Sequence, residues 1–295
     1  MSADPPTFDL QSHSRHSDGE LAAAEVVSAA ADAGVELLAL SDHDTVAGIS
    51  EAAATAEQLG IGLVPAVEIS AVDPLGADLH ILGYLVDTSD ALLIERLTDY
   101  RGDRERRTEA MAGTLRELGY ELDDRVLDAR IRTGKPIGRP HIAQAVVGHP
   151  ANSERLAAEQ LTDATEFLKA YLIEGRPAFK SREHPSVPEA IATIHDAGGL
   201  AVWAHPFWDV PDAREVLSGI DRFRGEGIDG VECFYLTHTE EQTALLVDRC
   251  AEIGMLSTGS SDFHGPSHPH MSAFRAFRTY GLRPYLGPIA SFASS

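Results

Sequence analysis

Lysine is almost missing from this chain: of the 24 basic residues only Lys135, Lys169 and Lys180 are lysine, and arginine supplies the rest. Against 46 acidic residues the formal charge is −22. That balance excludes a protein that grips duplex nucleic acid through a basic surface, because neutralised phosphates supply most of that affinity. It leaves room for a nucleotide or a short oligonucleotide held by metals and a few arginines. The arginine bias reads as codon composition and the surplus acid as solubility or a salty habitat; neither carries functional weight. Cysteine is as scarce, and Cys233 and Cys250 lack zinc-finger or redox spacing, so both read as reduced core residues. No basic segment followed by an apolar stretch opens the chain, and no apolar run reaches transmembrane length. A soluble cytoplasmic protein with no membrane partner is therefore expected.

What is present is enough apolar material for a sizeable core: 43% of 295 residues, sufficient for one large α/β domain or a main domain with an insertion. From Thr7 the pattern alternates strand and helix. Thr7–Ser12 reads as a first strand, Glu20–Ala33 as a helix closed by Gly34, Val35–Leu40 as a strand, Val46–Leu59 as a helix closed by Gly60, and Ile61–Ile69 as a third strand. This spacing predicts right-handed βαβ units with parallel strands. The link that follows is different. Ala71–Ala77, with Pro74-Leu75-Gly76 as turn chemistry, is too short for a crossover, so the next strand, Asp78–Val86, should run antiparallel. His80 near its start would then share an end of the sheet with Glu68 near the end of strand three.

Between Ser89 and Phe179 the strand signal disappears, and helical patterns cover Ala91–Leu118, Asp123–Ile131, Pro140–Val147, Ser153–Gln160 and Thr165–Ile173. Residues 89–179 are read as a helical insertion lying over the strand ends, with 1–88 and 180–295 forming the main domain. There the alternation resumes: helix Val187–Ala197, strand Gly199–Ala204, helix Ala213–Gly225, strand Gly230–Tyr235, helix Glu240–Ile253, strand Met255–Ser260. Seven mostly parallel strands predict a distorted TIM-like (β/α)7 barrel, with chemistry at its C-terminal rim; an open doubly wound sheet is the alternative.

Ligand-type residues recur where strands end. Gly259-Ser260-Ser261-Asp262-Phe263-His264-Gly265 places Asp262 and His264 two residues apart, facing one side if the backbone stays extended. Ser41-Asp42-His43-Asp44, Ala204-His205-Pro206 and the His13/Asp18 pair occupy equivalent places. Imidazoles suit Zn, Mn and Fe, while carboxylates bridge ions and offset their charge, so the pattern points to a metal site.

These segments, with Asp9-Leu10-Gln11-Ser12-His13-Ser14, Ser17-Asp18-Gly19, Glu68-Ile69-Ser70 and His80-Ile81-Leu82-Gly83-Tyr84, resemble in order the motifs of the PHP (polymerase and histidinol phosphatase) superfamily, from Phe8 to about Gly265. The resemblance implies a seven-stranded barrel that binds two or three divalent ions (Mn, Zn or Fe) and hydrolyses phosphoesters through activated water. By position it implies metal ligands at His13, Asp18, His43, Glu68, His80, His205, Asp262 and His264, with Asp18, His43, Asp262 and His264 as catalytic residues. Asp42 and Asp44 would orient a ligand imidazole or cap the next helix. Gln11 departs from the family's His-x-His: it coordinates through its amide oxygen, or the site that His13 binds is weakened, or that site is partly retired.

Gly138-Arg139-Pro140-His141-Ile142-Ala143, Tyr171–Phe179 and Ala197–Val202 resemble the branch that removes the 3′-phosphate from nucleoside 3′,5′-bisphosphates, some members of which trim short RNA from the 5′ end. By that resemblance Arg139 and His141 bind a substrate phosphate, with Arg176 and Lys180 as further candidates; the bland alternative is a plain helix N-terminus for the first pair and a solvated segment for the second. The expected partners are a small nucleotide or phosphomonoester and short single-stranded RNA. A histidinol-phosphate-type phosphatase and a binding protein weakened at Gln11 are the competing readings. His16, His149, His184, His195, His238, His268 and His270 are read as ordinary surface or core histidines.

Overall fold

The computed structural model describes residues 6–73, 78–125, 127–128, 137–161, 163–180 and 184–293. The expected turn at Pro74-Leu75-Gly76 and part of the expected helix Asp123–Ile131 lie outside them. The chain divides into two compact units, Met1–Thr98 with Pro185–Ser295, and Asp99–His184.

In the first unit seven strands follow chain order around one sheet: β1 (Phe8–Asp9), β2 (Leu37–Leu40), β3 (Gly62–Val72), β4 (Asp78–Tyr84), β5 (Leu200–Trp203), β6 (Gly230–Tyr235) and β7 (Leu256–Ser260). All neighbours pair in parallel except β4, which is antiparallel to both β3 and β5. Beyond β7 the chain returns to β1. Leu10 N donates to Gly259 O at 3.2 Å, and His13 N donates to Phe263 O at 2.8 Å. The sheet is thus a nearly closed seven-stranded barrel, as the alternation predicts. β1 is shorter than expected because only Phe8 and Asp9 keep regular pairing with β2; Ser12 pairs instead with Phe263.

The antiparallel β4 has a direct consequence. Its start lies at the rim where the other strands end, and Ser70 stands opposite His80 in the register. Residues two apart share a face, so Glu68, Ser70 and His80 project to the same side. β3 runs three residues past the expected Ile69, which lengthens this pairing to Val72.

Helices α1 (Ala23–Asp32) and α2 (Ile49–Leu59) bury small residues, Ala23, Ala30, Ala52 and Ala56, against Leu38 and Leu40 of β2. Phe263 joins this cluster and stacks on Phe274 with ring centroids 4.1 Å apart, fixing the chain just after β7. Helix α3 (Ala91–Glu117) leaves β4 and continues into the second unit. That unit contains α4 (Arg139–Val147), α5 (Ser153–Ala158) and α6 (Ala164–Tyr171), packed through Leu115, Ile142, Val146, Leu156 and Phe167. Tyr120 and Tyr171 both donate to Glu159, at 2.6 and 2.8 Å, and Arg155 lies over the Tyr120 ring. Back in the first unit, α7 (Val187–Asp196) opens on a Ser186/Glu189 capping box, and a short helix missed by the periodicity, α8 (Pro206–Asp209), follows β5 directly. Helices α9 (Ala213–Gly225) and α10 (Glu240–Ile253) match the expected spans; α10 stops at Gly254, whose φ of 72° an L-residue adopts only with strain. Among the described residues no helix is long and apolar enough to cross a membrane.

Candidate metal centre

The strand exits deliver their side chains by non-standard backbone. Asp44, His205 and Asp262 have φ of 50°, 29° and 52°. Left-handed non-glycine residues persist where surrounding structure holds them, and they cluster at functional sites. At Asp262 this changes the expected reason for convergence. β7 ends at Ser260, and Asp262 and His264 meet through a tight turn in which His264 Nδ1 donates to the Asp262 carbonyl at 2.8 Å, not through extended alternation. Asp262 is further held by the Tyr235 hydroxyl, which donates to Oδ2 at 2.9 Å.

All eight expected ligands come together. His13 Nε2 lies 3.1 Å from Glu68 Oε2 and 3.0 Å from Asp262 Oδ1. Asp18 reaches His43 Nε2 at 3.6 Å and His264 Nε2 at 3.5 Å. The other Glu68 oxygen faces His80 Nδ1 at 2.9 Å and His205 Nε2 at 3.3 Å. The imidazoles pack face to face or edge to face, His13 stacking on His264 with centroids 4.3 Å apart. Most of the cluster is buried, but Asp18 and His80 side chains are each 28% exposed and form its open edge.

Asp42 accepts from Ser14 N and Oγ and from Ser17 Oγ, at 2.7, 2.6 and 2.6 Å, folding the loop that turns Asp18 back towards His13. Asp44 accepts from Ser70 N, tying the β2 exit to β3.

The electrostatics follow from crowding carboxylates in a buried place. Burial opposes ionisation of Glu68, yet His43, His80, His13 and His205 hold it well below the usual carboxylate range. Asp18 behaves likewise, and Asp262 is brought down to about 2 against its own burial, chiefly by His264 and His13. Burial disfavours the His13 and His205 cations, but the carboxylates beside them, Asp262 and Glu68 for His13 and Asp209 and Glu68 for His205, raise both well above the usual histidine range. His43 is pushed down to about 4 by burial, with the neighbouring His13 and His80 adding to it. Three carboxylates here demand positive charge, and protons on imidazoles or divalent cations are the two ways to supply it.

The donor set fits divalent ions. Three groups bring ligand atoms within 4.8 Å of one another: His13, Asp18, His43 and His264; His43, Glu68 and His80; His13, Glu68 and Asp262. His13 Nε2, His43 Nδ1 and Asp262 Oδ1 are buried without a hydrogen-bond partner. Buried polar atoms are rarely left so, and a bound ion is a standing explanation.

Gln11 is fully buried beside this cluster, and its amide nitrogen donates to Glu68 Oε2 at 2.9 Å while its oxygen faces Ser260 Oγ at 3.3 Å.

Arg139, His141, Arg176 and Lys180 all belong to the second unit. Arg139 opens α4, and His141 Nδ1 accepts from Gly138 N at 3.0 Å, so the bland helix-start role is occupied and the remaining ring proton sits on Nε2. Arg176 and Lys180 are exposed near the end of that unit, where the Lys180 carbonyl accepts from Arg107. Among the histidines read as ordinary, His195 pairs with Asp229 at 2.8 Å and His238 is buried, donating to the Cys233 carbonyl and pushed down to about 4 by burial. His268 differs: its ring lies 5.1 Å from that of His264. Cys233 and Cys250 are buried and free.

Sequence reasoning missed Glu232 and Asp209. Asp209 lies 3.4 Å from His205 Nδ1, one helical turn on. Glu232 is fully buried in β6, and burial pushes its carboxyl up to about 8. The available signal was a lone carboxylate inside the apolar run Gly230–Tyr235.

A barrel that gathers these imidazoles and carboxylates at its strand exits is that of a metal-dependent hydrolase. The chain belongs to the PHP family of metal-dependent phosphoesterases: the PHP domain matches residues 9–118, and similarity to its relatives runs through nearly the whole chain. A 5′-3′ exoribonuclease of Haemophilus influenzae is 33% identical over 259 residues, covering 88% of this chain and 90% of that protein. A 3′,5′-nucleoside bisphosphate phosphatase of Chromobacterium violaceum is 31% identical over 262 residues, covering 88% and 87%. In three dimensions the chain is similar to a protein of Bifidobacterium adolescentis proposed to be a metal-dependent phosphoesterase, with a TM-score of 0.75, 28% identity, and coverage of 98% and 96%.

Proposed function

We propose that the protein removes the 3′-phosphate from a nucleoside 3′,5′-bisphosphate, yielding the 5′-monophosphate and inorganic phosphate, and that it works in the cytoplasm. The observation that carries this reading is the buried convergence of Asp18, Glu68 and Asp262 with five imidazoles at one barrel rim. Nearly full-length similarity to a nucleoside bisphosphate phosphatase supports the substrate class.

By nearest distance the ligands fall into three sets: His13, Glu68 and Asp262; Asp18, His43 and His264; Glu68, His80 and His205. Each set would hold one divalent ion of the Mn, Zn or Fe kind. Bound there, such ions would polarise a phosphoryl group and lower the pKa of water. Glu68 offers one oxygen to each of two sets and so spaces them. Asp18 and His80 form the open edge, the side from which a phosphate would reach ions held in these sets. Arg139 and His141, with Arg176 and Lys180, would bind the substrate's phosphates; an arginine fork takes two phosphate oxygens at once.

The similarity to an exoribonuclease favours a second activity, removal of nucleotides from the 5′ end of short single-stranded RNA. Phosphate release from 3′-phosphoadenosine 5′-phosphate with Mn²⁺, Zn²⁺ or Fe²⁺ tests the primary reading, and no release with any divalent ion would sink it. Inhibition by 5′-AMP separates a nucleotide site from one for histidinol phosphate or another small monoester.

A further inference from the structure

Glu232 is a carboxylate with no exposed surface in the middle of a barrel strand. Its two oxygens are engaged differently. Oε2 accepts the backbone N–H of His205 at 2.9 Å, and Oε1 accepts from Ser260 Oγ at 2.5 Å. Ser260 Oγ also lies 3.3 Å from the Gln11 amide oxygen, and the Gln11 amide nitrogen donates to Glu68 at 2.9 Å. Glu68 in turn faces His205 Nε2 at 3.3 Å. Glu232, Ser260, Gln11, Glu68 and His205 therefore close a ring beneath the cluster, and both arms from Glu232 end on residues read above as metal ligands.

A satisfied core carboxylate is the plain alternative, but two features set this one apart. His205 sits at φ 29° and ψ 57°, a backbone that needs outside support, and Glu232 accepts its N–H. The single Ser260 hydroxyl proton is shared unequally between Glu232 Oε1 at 2.5 Å and the Gln11 amide oxygen at 3.3 Å, so Glu232 sets where the hydroxyl stands that the Gln11 oxygen faces while its nitrogen meets Glu68. We infer that Glu232 is a positioning residue for the metal centre, fixing His205 through its main chain and Glu68 through Ser260 and Gln11. Residues that orient ligands from behind tune metal affinity as the ligands do. The inference rests on the reading of Glu68 and His205 as ligands.

Equilibrium dialysis against Mn²⁺ with elemental analysis tests it on full-length protein, alongside kcat and KM and thermal melting in chelator. Glu232→Ala should weaken Mn²⁺ binding and lower kcat by about 10–100-fold, leaving KM nearly unchanged. Glu232→Gln should recover most of the loss, because its amide oxygen can accept from His205 N while its NH2 donates to Ser260. Ser260→Ala, which cuts only the Glu68 arm, should fall between. Wild-type Mn²⁺ affinity in Glu232→Ala would overturn the inference, as would Glu232→Gln being as impaired as the alanine variant. If the alanine variant does not fold, wild-type affinity in Ser260→Ala overturns it instead. Wild-type protein that binds no divalent ion would overturn the ligand reading itself, a result distinct from the others.

Discussion

Replacing Asp9 by Asn would expose the cost of ionising a carboxyl that closes the barrel. Asp9 is fully buried at the end of β1 and accepts from Ser261 N at 2.8 Å, Ser261 Oγ at 2.5 Å and Arg275 N at 2.8 Å. Those bonds favour the anion, but burial outweighs them and raises its pKa from 3.8 to about 7. An acid raised on folding stabilises the protein fully below its unfolded pKa, and that stability is lost as pH climbs to the folded value. The difference of about 3 units, at about 1.4 kcal/mol per unit, corresponds to about 4 kcal/mol between pH 3.8 and 7. Roughly 1.5 kcal/mol of this is already lost at pH 5, leaving about 2.5 kcal/mol to disappear by pH 8. Asn cannot ionise, so urea unfolding of chelated wild type and Asp9→Asn at both pH values should show the variant gaining about 2.5 kcal/mol relative to wild type between them. Glu232 is raised too, but it is common to both proteins and cancels in the difference. A stability gap between the two proteins that stays constant from pH 5 to pH 8 would refute the claim that burial raises the Asp9 carboxyl.

Other perturbations probe the site directly. Gln11→His places an imidazole where an amide now meets Glu68, and should raise bound metal per chain measured by elemental analysis; unchanged metal and turnover would show that the amide is no defect. Gly19→Ala would put a methyl 2.2 Å from the His13 carbonyl oxygen, and main chain cannot yield as a flexible side chain does. It should cost about 1–3 kcal/mol in unfolding free energy and should lower metal affinity by displacing His13; wild-type affinity would show that His13 tolerates the shift. Free Mn²⁺ at 100 times its Kd should stabilise the chelator-treated protein by about 2.7 kcal/mol, a rise in Tm of about 5 °C. No shift with Mn²⁺, Zn²⁺ or Fe²⁺ would contradict the fit of the donor set.

Much of the barrel was legible because the local signals agree with the fold. Gly60 and Gly254 stop helices where periodicity ends, and β6, α9 and α10 fall on the expected residues. The short link after Glu68 excluded a crossover, so the antiparallel β4 and the approach of His80 to Glu68 followed from chain length alone. His13 with Asp18, His43, His205, and Asp262 with His264 were visible as polar groups where apolar strands end, and the resemblance to the family's ordered motifs completed the set of eight.

What stayed hidden depends on groups distant in sequence. Asp262 and His264 looked like alternating residues on a strand, but a left-handed turn brings them together, and such a turn is held by tertiary contacts such as Tyr235. Nothing near Glu232 in sequence announces that its two oxygens meet the chain at His205 and Ser260. Gln11 showed a departure from His-x-His; only burial between Ser260 and Glu68 decided which way its amide faces. By itself, then, the sequence determined the order of elements and the kinds of ligand each strand end carries, since propensity and alternation are local. Tertiary structure decided which oxygen meets which nitrogen, because burial and long-range hydrogen bonds exist only once the barrel brings its first and last strands together.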